Sequence, residues 1–257
     1  ERFGGRIGGL LATVPTTIIP ACLGIWNESA DHHDFVWAMA VVPMGMWVNS
    51  FFLWLWRVVP PRLPSTQLGP RLASMLLVGL TGWSLAAIPG LYLCKRLRLS
   101  GVEPLILGGF VTCVMTVMGI AACRHHVPSP PGTQRVSLIV LASRGVLAGL
   151  CIVFSVWLTA AGMPLVSGIA SVFPAIFLTT MVSIWLAQGE AVQSGAVGPM
   201  MLGSTSVSVF ALIAASVLHL IPVWLGLVVS WVGSVVLVSI PAYLWLQRRQ
   251  MERHPRA

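Results

Sequence analysis

Acidic side chains are scarce in this sequence: only seven of its 257 residues are Asp or Glu, and one is Lys. All seven acids lie between or outside the apolar runs, so no predicted helix carries a central carboxylate. Proton-coupled exporters of cations usually need such a group inside the membrane, which argues against that mechanism. The movement of a neutral or anionic solute, or a structural role, remains compatible with the sequence. The acids are Glu1, Glu28, Asp31, Asp34, Glu103, Glu190 and Glu252.

Motifs that bind metals, phosphates or redox cofactors are also missing. The five cysteines form no Cys-x-x-Cys pair, and their odd number argues against a disulfide framework. No nucleophile elbow, phosphate-binding loop, metalloprotease helix or haem-ligating central His occurs. Four adjacent residues such as Asp31-His32-His33-Asp34 rarely converge on one ion, so we interpret 31–34 as an exposed polar loop. We therefore expect no enzymatic activity, no cofactor and no metal.

Apolar residues, in contrast, dominate the chain. Hydrophobic residues make up 56% of the sequence, and the mean hydropathy is +0.88. Apolar runs of about 20 residues, separated by short polar breaks, are typical of a multi-pass (polytopic) α-helical membrane protein. The sequence predicts about eight transmembrane helices, all-α in class. Their approximate ranges are 6–26, 35–56, 72–94, 105–123, 138–161, 165–187, 195–218 and 221–246.

The chain contains a repeat. Residues 9–26 (GLLATVPTTIIPACLGIW) align with residues 168–185 (GIASVFPAIFLTTMVSIW) and share Gly, Pro and a final Ile-Trp at an offset of 159. AVVPM at 40–44 aligns with AVGPM at 196–200, and IPGLYLCKR from residue 88 aligns with IPAYLWLQRR from residue 240. The first three predicted helices thus match the last three.

The repeat predicts topology and domain organisation. A shift of five helices is odd, so the copies should cross the membrane in opposite directions, as inverted repeats of many secondary transporters do. If the fourth or fifth helix does not span, the repeats become parallel instead. The fifth helix precedes the second copy, so its counterpart should precede residue 1, giving nine helices. The predicted units are the first repeat (1–98), a linker helix with a polar loop (99–136), the second repeat (137–249) and a basic tail (250–257).

The basic residues indicate orientation. With eight helices, twelve arginines fall on the side of both chain ends, and only Lys95, Arg96 and Arg98 fall on the other. The positive-inside rule then places both ends on the cytoplasmic side, or on the matrix or stroma side of an organelle. A bacterial inner membrane and an organellar membrane are not distinguished. The net charge of +8 is explained in this way, so we expect membrane lipids rather than nucleic acid as partners.

The second copy resembles a known family. GIASVFPAIFLTTMVSIW, followed by GPMMLGSTSVSVFALIA in the next helix, resembles the small bacterial GlpM-like membrane proteins. Those are four-helix units with a Gly-x-x-x-x-(Phe/Leu)-Pro segment that opens their second helix. The second copy (about Arg144–Arg249) resembles the whole unit, and the first copy (about Gly5–Arg96) resembles it without its first helix. The resemblance implies an inner-membrane fold but no molecular role.

The paired prolines, Pro15 and Pro174, are the first candidate site residues. A proline inside a helix frees a backbone carbonyl, and in a bilayer that carbonyl needs a partner such as a Thr hydroxyl or a water. Two interpretations remain open: discontinuous helices that line a pathway, or kinked helices packed by small residues. The neighbouring threonines are Thr16, Thr17, Thr179 and Thr180.

Two further residues stand out because they are polar within apolar runs. Asn49 lies in the second predicted helix and can hydrogen-bond to another helix or line a pathway. Arg144 lies inside the fifth run, but a helix that began at Gly145 would place it at the membrane interface. The first functional hypothesis is a small-solute transporter with its pathway between the repeats. The alternative is a structural subunit of a larger membrane complex, and a homodimer also remains open.

Overall fold

The computed structural model of the protein describes residues 14–63, 67–124 and 138–253. These residues form helices joined by short turns, and no strand occurs among them. A 3-10 turn, Pro60–Arg62, follows the second helix, and a π-helical turn, Val235–Ser239, joins the last two. The helices are α1 (Ile18–Glu28), α2 (His32–Val58), α3 (Leu68–Leu99), α4 (Pro104–Arg124), α5 (Leu138–Ala160), α6 (Pro164–Ala170), α7 (Ala175–Gln188), α8 (Glu190–Val217), α9 (Val223–Ser234) and α10 (Ile240–Arg253).

The predicted class, an all-α multi-pass membrane protein, is confirmed. Six stretches are long and apolar enough to cross a membrane: α2, α3, α4, α6 with α7, most of α8, and α9 with α10. The apolar part of α5, Gly145–Ala160, is shorter. Each of the eight predicted helices therefore has a helical counterpart, although in the first one residues 14–17 are not helical and residues 6–13 lie outside the described chain.

Helices α2 and α8 form the centre of the molecule and run antiparallel. The side-chain amide of Gln193, at the start of α8, donates a 2.8 Å hydrogen bond to the carbonyl of Trp56, near the end of α2. At the other end, the ring of His32 lies 4.3 Å from that of His219, which follows α8. These two helices are the second members of the two sequence repeats. Their antiparallel crossing is the orientation that an inverted repeat requires.

Helix α4, which has no counterpart in the repeat, packs against both central helices. Glycines make this close approach possible: a Cβ on Gly119 would lie 2.8 Å from the Cα of Leu202 in α8, and one on Gly108 would lie 2.9 Å from the carbonyl oxygen of Ala40 in α2. Small residues allow such backbone contact in lipid. The linker helix therefore joins the two copies rather than only connecting them in sequence.

The second copy contains a discontinuous helix at the predicted position. Helix α6 ends at Ala170, three residues without helical structure follow, and Pro174 immediately precedes α7. In the first copy, residues 14–17 are not helical and α1 begins at Ile18, just after Pro15. Not every proline interrupts its helix: Pro43 and Pro199 lie inside the continuous helices α2 and α8.

The residue Arg144 lies in the second turn of α5, which begins at Leu138 rather than at Gly145. The apolar part of α5 begins only at Gly145, so an interfacial position for Arg144 stays a prediction. The segment 125–137, with His125, His126 and Arg135, lies outside the described residues.

Candidate functional site

A cavity of about 70 Å³ lies between the two helix breaks. The first break contributes Pro15 and Thr17 to its wall, and the second contributes Ser171 and Val172. Asn49 of α2 lines the cavity between them, and the remaining wall is mostly apolar and comes from α5, α7 and α8. Such a volume holds water or a very small solute. The structure thus brings three of the predicted residues, Pro15, Thr17 and Asn49, together in one wall.

Asn49 connects three parts of the structure. Its side-chain Nδ2 donates a 2.6 Å hydrogen bond to the carbonyl of Val172 in the second break, and its Oδ1 accepts a 2.8 Å hydrogen bond from Nε1 of Trp83 in α3. The side chain is 1% exposed. A buried amide with both ends paired fixes the positions of α2, α3 and the break relative to one another.

The carbonyl that Pro174 leaves without its helical donor is that of Ala170, and it accepts a 3.0 Å hydrogen bond from the backbone N–H of Phe173 rather than from a threonine hydroxyl. The Val172 carbonyl, which lies inside the break, accepts from the Asn49 amide. The hydroxyl of Thr179 does not bond a carbonyl of the break, because it bonds the carbonyls of Ala175 and Ile176 within its own helix, at 2.8 and 3.2 Å. A threonine in a helix commonly bonds back to the preceding turn in this way.

The other predicted residues lie outside the cavity wall. Thr16 is exposed, and Pro174 is buried between two wall residues, Phe173 and Ala175. The hydroxyl of Thr180 is buried and has no hydrogen-bond partner in the described chain. Such a group is uncommon in an apolar interior and requires an explanation.

Thr205 is a buried polar residue that the sequence analysis did not single out. At the repeat offset of 156, Asn49-Ser50 of α2 aligns with Thr205-Ser206 of α8. The Thr205 side chain is 2% exposed, and its hydroxyl lacks a hydrogen-bond partner among residues 14–63, 67–124 and 138–253. Aligning the polar positions of the two central helices would have identified it. The counterpart of Val172 at the offset of 159 is Thr13, which lies outside the described residues.

The side of the molecule where α2 ends and α8 begins is called here the arginine-rich side, after Arg57, Arg62, Arg71 and Arg124. Contacts between the two copies lie on this side. Nη2 of Arg71 in α3 lies 2.8 Å from the Glu190 carboxylate at the start of α8, and it also donates to the carbonyl of Pro60. Deeper in the structure, the rings of Trp56 and Trp185 pack edge to face at 5.8 Å.

Buried polar groups lie between the cavity and the arginine-rich side. Gln193 donates to the Trp56 carbonyl, but its Oε1 and the indole Nε1 of Trp56 have no hydrogen-bond partner in the described part of the chain. Trp56 is two helical turns beyond Asn49 along α2. The buried region between Asn49 and the arginine-rich side therefore contains groups that can form hydrogen bonds, although side chains fill it.

On the opposite side, the Asp34 carboxylate pairs with Nη2 of Arg98 at 2.5 Å. The ligand atoms of Asp31, His33 and Asp34 lie within 4.8 Å of one another. Each group already has a protein partner: Asp31 caps α2 through the Asp34 amide, and His33 accepts from the Trp37 indole. The segment is exposed, as predicted, but residues 32–34 form the first turn of α2 rather than a loop.

Comparison of the chain with protein-family models, with curated proteins and with solved structures finds no match. The GlpM-like resemblance therefore stays a hypothesis, and the function has to be inferred from the geometry alone.

Proposed function

We propose that this protein transports a small solute through the cavity between its two helix breaks. The observation that carries the proposal is the position of Asn49: it lines a cavity that has one break on either side, and it holds the second break by a hydrogen bond. Discontinuous helices that meet between inverted repeats are the usual binding-site arrangement of secondary transporters. The antiparallel crossing of α2 and α8 supports the inverted repeat.

The cavity favours an uncharged or anionic solute that accepts hydrogen bonds. Its described wall includes no Asp, Glu, Lys, Arg or His. The second helical halves, α1 and α7, begin at the cavity with Ile18 and Ala175 in its wall, and neither has a side-chain cap. Helix N-termini carry partial positive charge and unpaired N–H groups, so two of them favour an electronegative group.

In this proposal, contacts between the two copies restrict access to the cavity on both sides. Arg71 with Glu190 and Trp56 with Trp185 close the arginine-rich side, and both pairs join one copy to the other. On the opposite side, His32 packs against His219, again between the copies. Contacts between two halves that separate and re-form are what a rocking motion around a central site requires.

The test is solute flux in liposomes that contain the full chain. Light scattering would follow osmotic swelling with glycerol, urea, formate or phosphate as the probe. We expect a selective flux, with Pro15→Ala and Pro174→Ala changing it while leaving assembly intact. Pro89→Ala is the matched control, because Pro89 is exposed within the continuous helix α3. Normal flux in both break variants, with loss in a variant of a packing glycine, would refute the pathway.

The alternative function is that of a non-catalytic structural subunit of a larger membrane complex. The observation that favours it is the wide apolar surface: only 17% of the spanning parts of α3 and of α9 with α10 is buried inside the protein. The native mass in mild detergent distinguishes the two. A mass of one or two chains supports the transporter, whereas a far larger mass with fixed companions supports the subunit.

A further inference from the structure

We propose that a groove between α3, α5 and α6 binds one acyl chain of an anionic phospholipid, and that Lys95 contacts its phosphate. The groove has a volume of about 530 Å³ and is a different space from the interior cavity. This volume is within the range of about 300–1,000 Å³ that is typical of sites for small organic ligands.

The chemistry of the walls points to a hydrocarbon occupant. Aliphatic and aromatic side chains line the groove almost throughout. Its rim is open toward the bilayer, since Ile88 on α3 and Leu150 on α5 are 66% and 61% exposed. Among the described side chains that line the groove, only the Trp83 indole, which already donates to Asn49, and the Cys151 thiol could form a hydrogen bond, so its natural occupant is the tail of a neighbouring lipid. Its walls include Ala87, Leu91, Leu147, Phe154, Val166 and Ala170.

The groove has a direction. Its inner end is formed by Trp83 and Phe173, whose rings pack edge to face at 5.1 Å near the middle of α3. From there it follows α3 toward Leu91, on the side opposite the arginine-rich side. Eight residues of helix correspond to about 12 Å, and half of the hydrocarbon core is about 15 Å thick. The groove thus matches the depth of one leaflet.

A basic residue lies where the lipid head group would be. Lys95 is one helical turn beyond Leu91 on the same face of α3, and it is exposed. Within the described chain Lys95 belongs to neither ion pair, whereas its neighbour Arg98 pairs with Asp34 and Arg96 contacts Tyr92. An ammonium group at this level attracts a phosphate. Lys95, Arg96 and Arg98 are also the residues that depart from the positive-inside rule, and lipid binding gives Lys95 a role on this side.

This site does not depend on the proposed transport function. Phe173 and Cys151 line both the groove and the interior cavity, so the end of the acyl chain would lie beside the second break. The groove itself would be occupied in a structural subunit as well as in a transporter, and its test therefore measures lipid binding and not flux.

The test is native mass spectrometry of the full chain with phosphatidylglycerol and phosphatidylcholine that carry the same acyl chains. We expect the wild type to retain phosphatidylglycerol more strongly. Ala170→Phe narrows the groove from within and Ile88→Trp covers its rim; each should weaken retention of both lipids by roughly tenfold. Lys95→Gln should abolish the preference for phosphatidylglycerol without abolishing binding, and Lys95→Arg should preserve it.

The matched control is Val117→Trp, because Val117 on α4 is also 66% exposed but lies away from the groove. Size-exclusion chromatography would show whether Ala170→Phe still folds, and Ile88→Trp decides the question if it does not. Wild-type retention in Ile88→Trp, or an equal loss in Val117→Trp, would overturn the acyl-chain site. An unchanged preference in Lys95→Gln would overturn the role of Lys95.

Discussion

The side-chain amide of Asn49 hydrogen-bonds the backbone carbonyl of Val172, 123 residues further along the chain, at 2.6 Å. This contact joins a central helix of the first copy to the helix break of the second. The same side chain accepts a hydrogen bond from Trp83, at the inner end of the groove between α3, α5 and α6. Asn49 therefore holds the interior cavity and the groove in a fixed relationship.

Replacing Asn49 by Leu should destabilise the protein. The substitution leaves the Val172 carbonyl and the Trp83 indole without their partner, at about 1–3 kcal/mol for each buried group that stays unpaired. We expect a clearly lower unfolding temperature in detergent. Intrinsic fluorescence measures the unfolding. The control is Ser50→Ala, because the buried Ser50 hydroxyl bonds only the Met46 carbonyl of its own helix. Equal unfolding temperatures of the two variants would contradict the bridging role.

The close approach of α6 to α2 should make Gly168 irreplaceable. A Cβ on Gly168 would overlap the carbonyl oxygen of Ala38. The substitution Gly168→Ala should therefore push α6 away from α2 and lower the free energy of unfolding by about 1–3 kcal/mol or more. Gly149→Ala is the matched control, because nothing lies within 4 Å of its added Cβ. That change should be neutral or stabilise α5 by about 0.5–1 kcal/mol. Thermal unfolding of both variants checks the prediction, and equal effects would refute it.

The ion pair between Arg71 and Glu190 should control access from the arginine-rich side. Partly exposed ion pairs contribute only about 0–1 kcal/mol to the free energy of unfolding, so Glu190→Gln should leave stability almost unchanged. The same substitution should increase the fraction of molecules that are open on this side a few-fold. In a protein whose other cysteines are Ser, Cys151 in the cavity wall reports access through its rate of labelling by a membrane-impermeant maleimide, which does not reach it through the groove that is open to the bilayer. We expect faster labelling in Glu190→Gln and a wild-type rate in Glu103→Gln, on the opposite side. Equal rates in both variants would exclude this gate.

The sequence alone predicted the positions of the eight apolar runs, because such runs are recognised locally, although the described residues of these runs form ten α-helices. The repeat singled out Pro15 and Pro174 but left open whether each proline breaks its helix or only kinks it. Pro43 and Pro199 lie within continuous helices, whereas Pro174 begins one. Distant residues hold the break in place: Asn49 pairs with the Val172 carbonyl inside it, and Gly168 lets α6 approach α2. Contacts over such separations are not encoded in any local pattern, which is also why the packing of α4 against both copies was not foreseen.

Thr205 offers a test that separates the two proposed functions. Its buried hydroxyl lacks a hydrogen-bond partner in the described chain, so Thr205→Val should keep or raise the unfolding temperature by removing an unpaired polar group. A structural subunit would therefore tolerate the change or benefit from it. In a transporter, Thr205 aligns with Asn49 and would supply a polar group of the pathway, so flux should fall although stability does not.

Ser206→Ala is the control for Thr205→Val, because Ser206 is also buried in α8 and its hydroxyl bonds the Gly203 carbonyl. We expect it to leave flux unchanged. Swelling of liposomes in the probe solute that the wild type admits, compared with thermal unfolding of the same preparations, gives both readouts together. Loss of flux with retained stability in Thr205→Val alone would support a pathway built from equivalent positions of the two copies. Full flux in a stabilised Thr205→Val would show that the second central helix contributes packing only, and the pathway would then depend on the Asn49 side of the cavity.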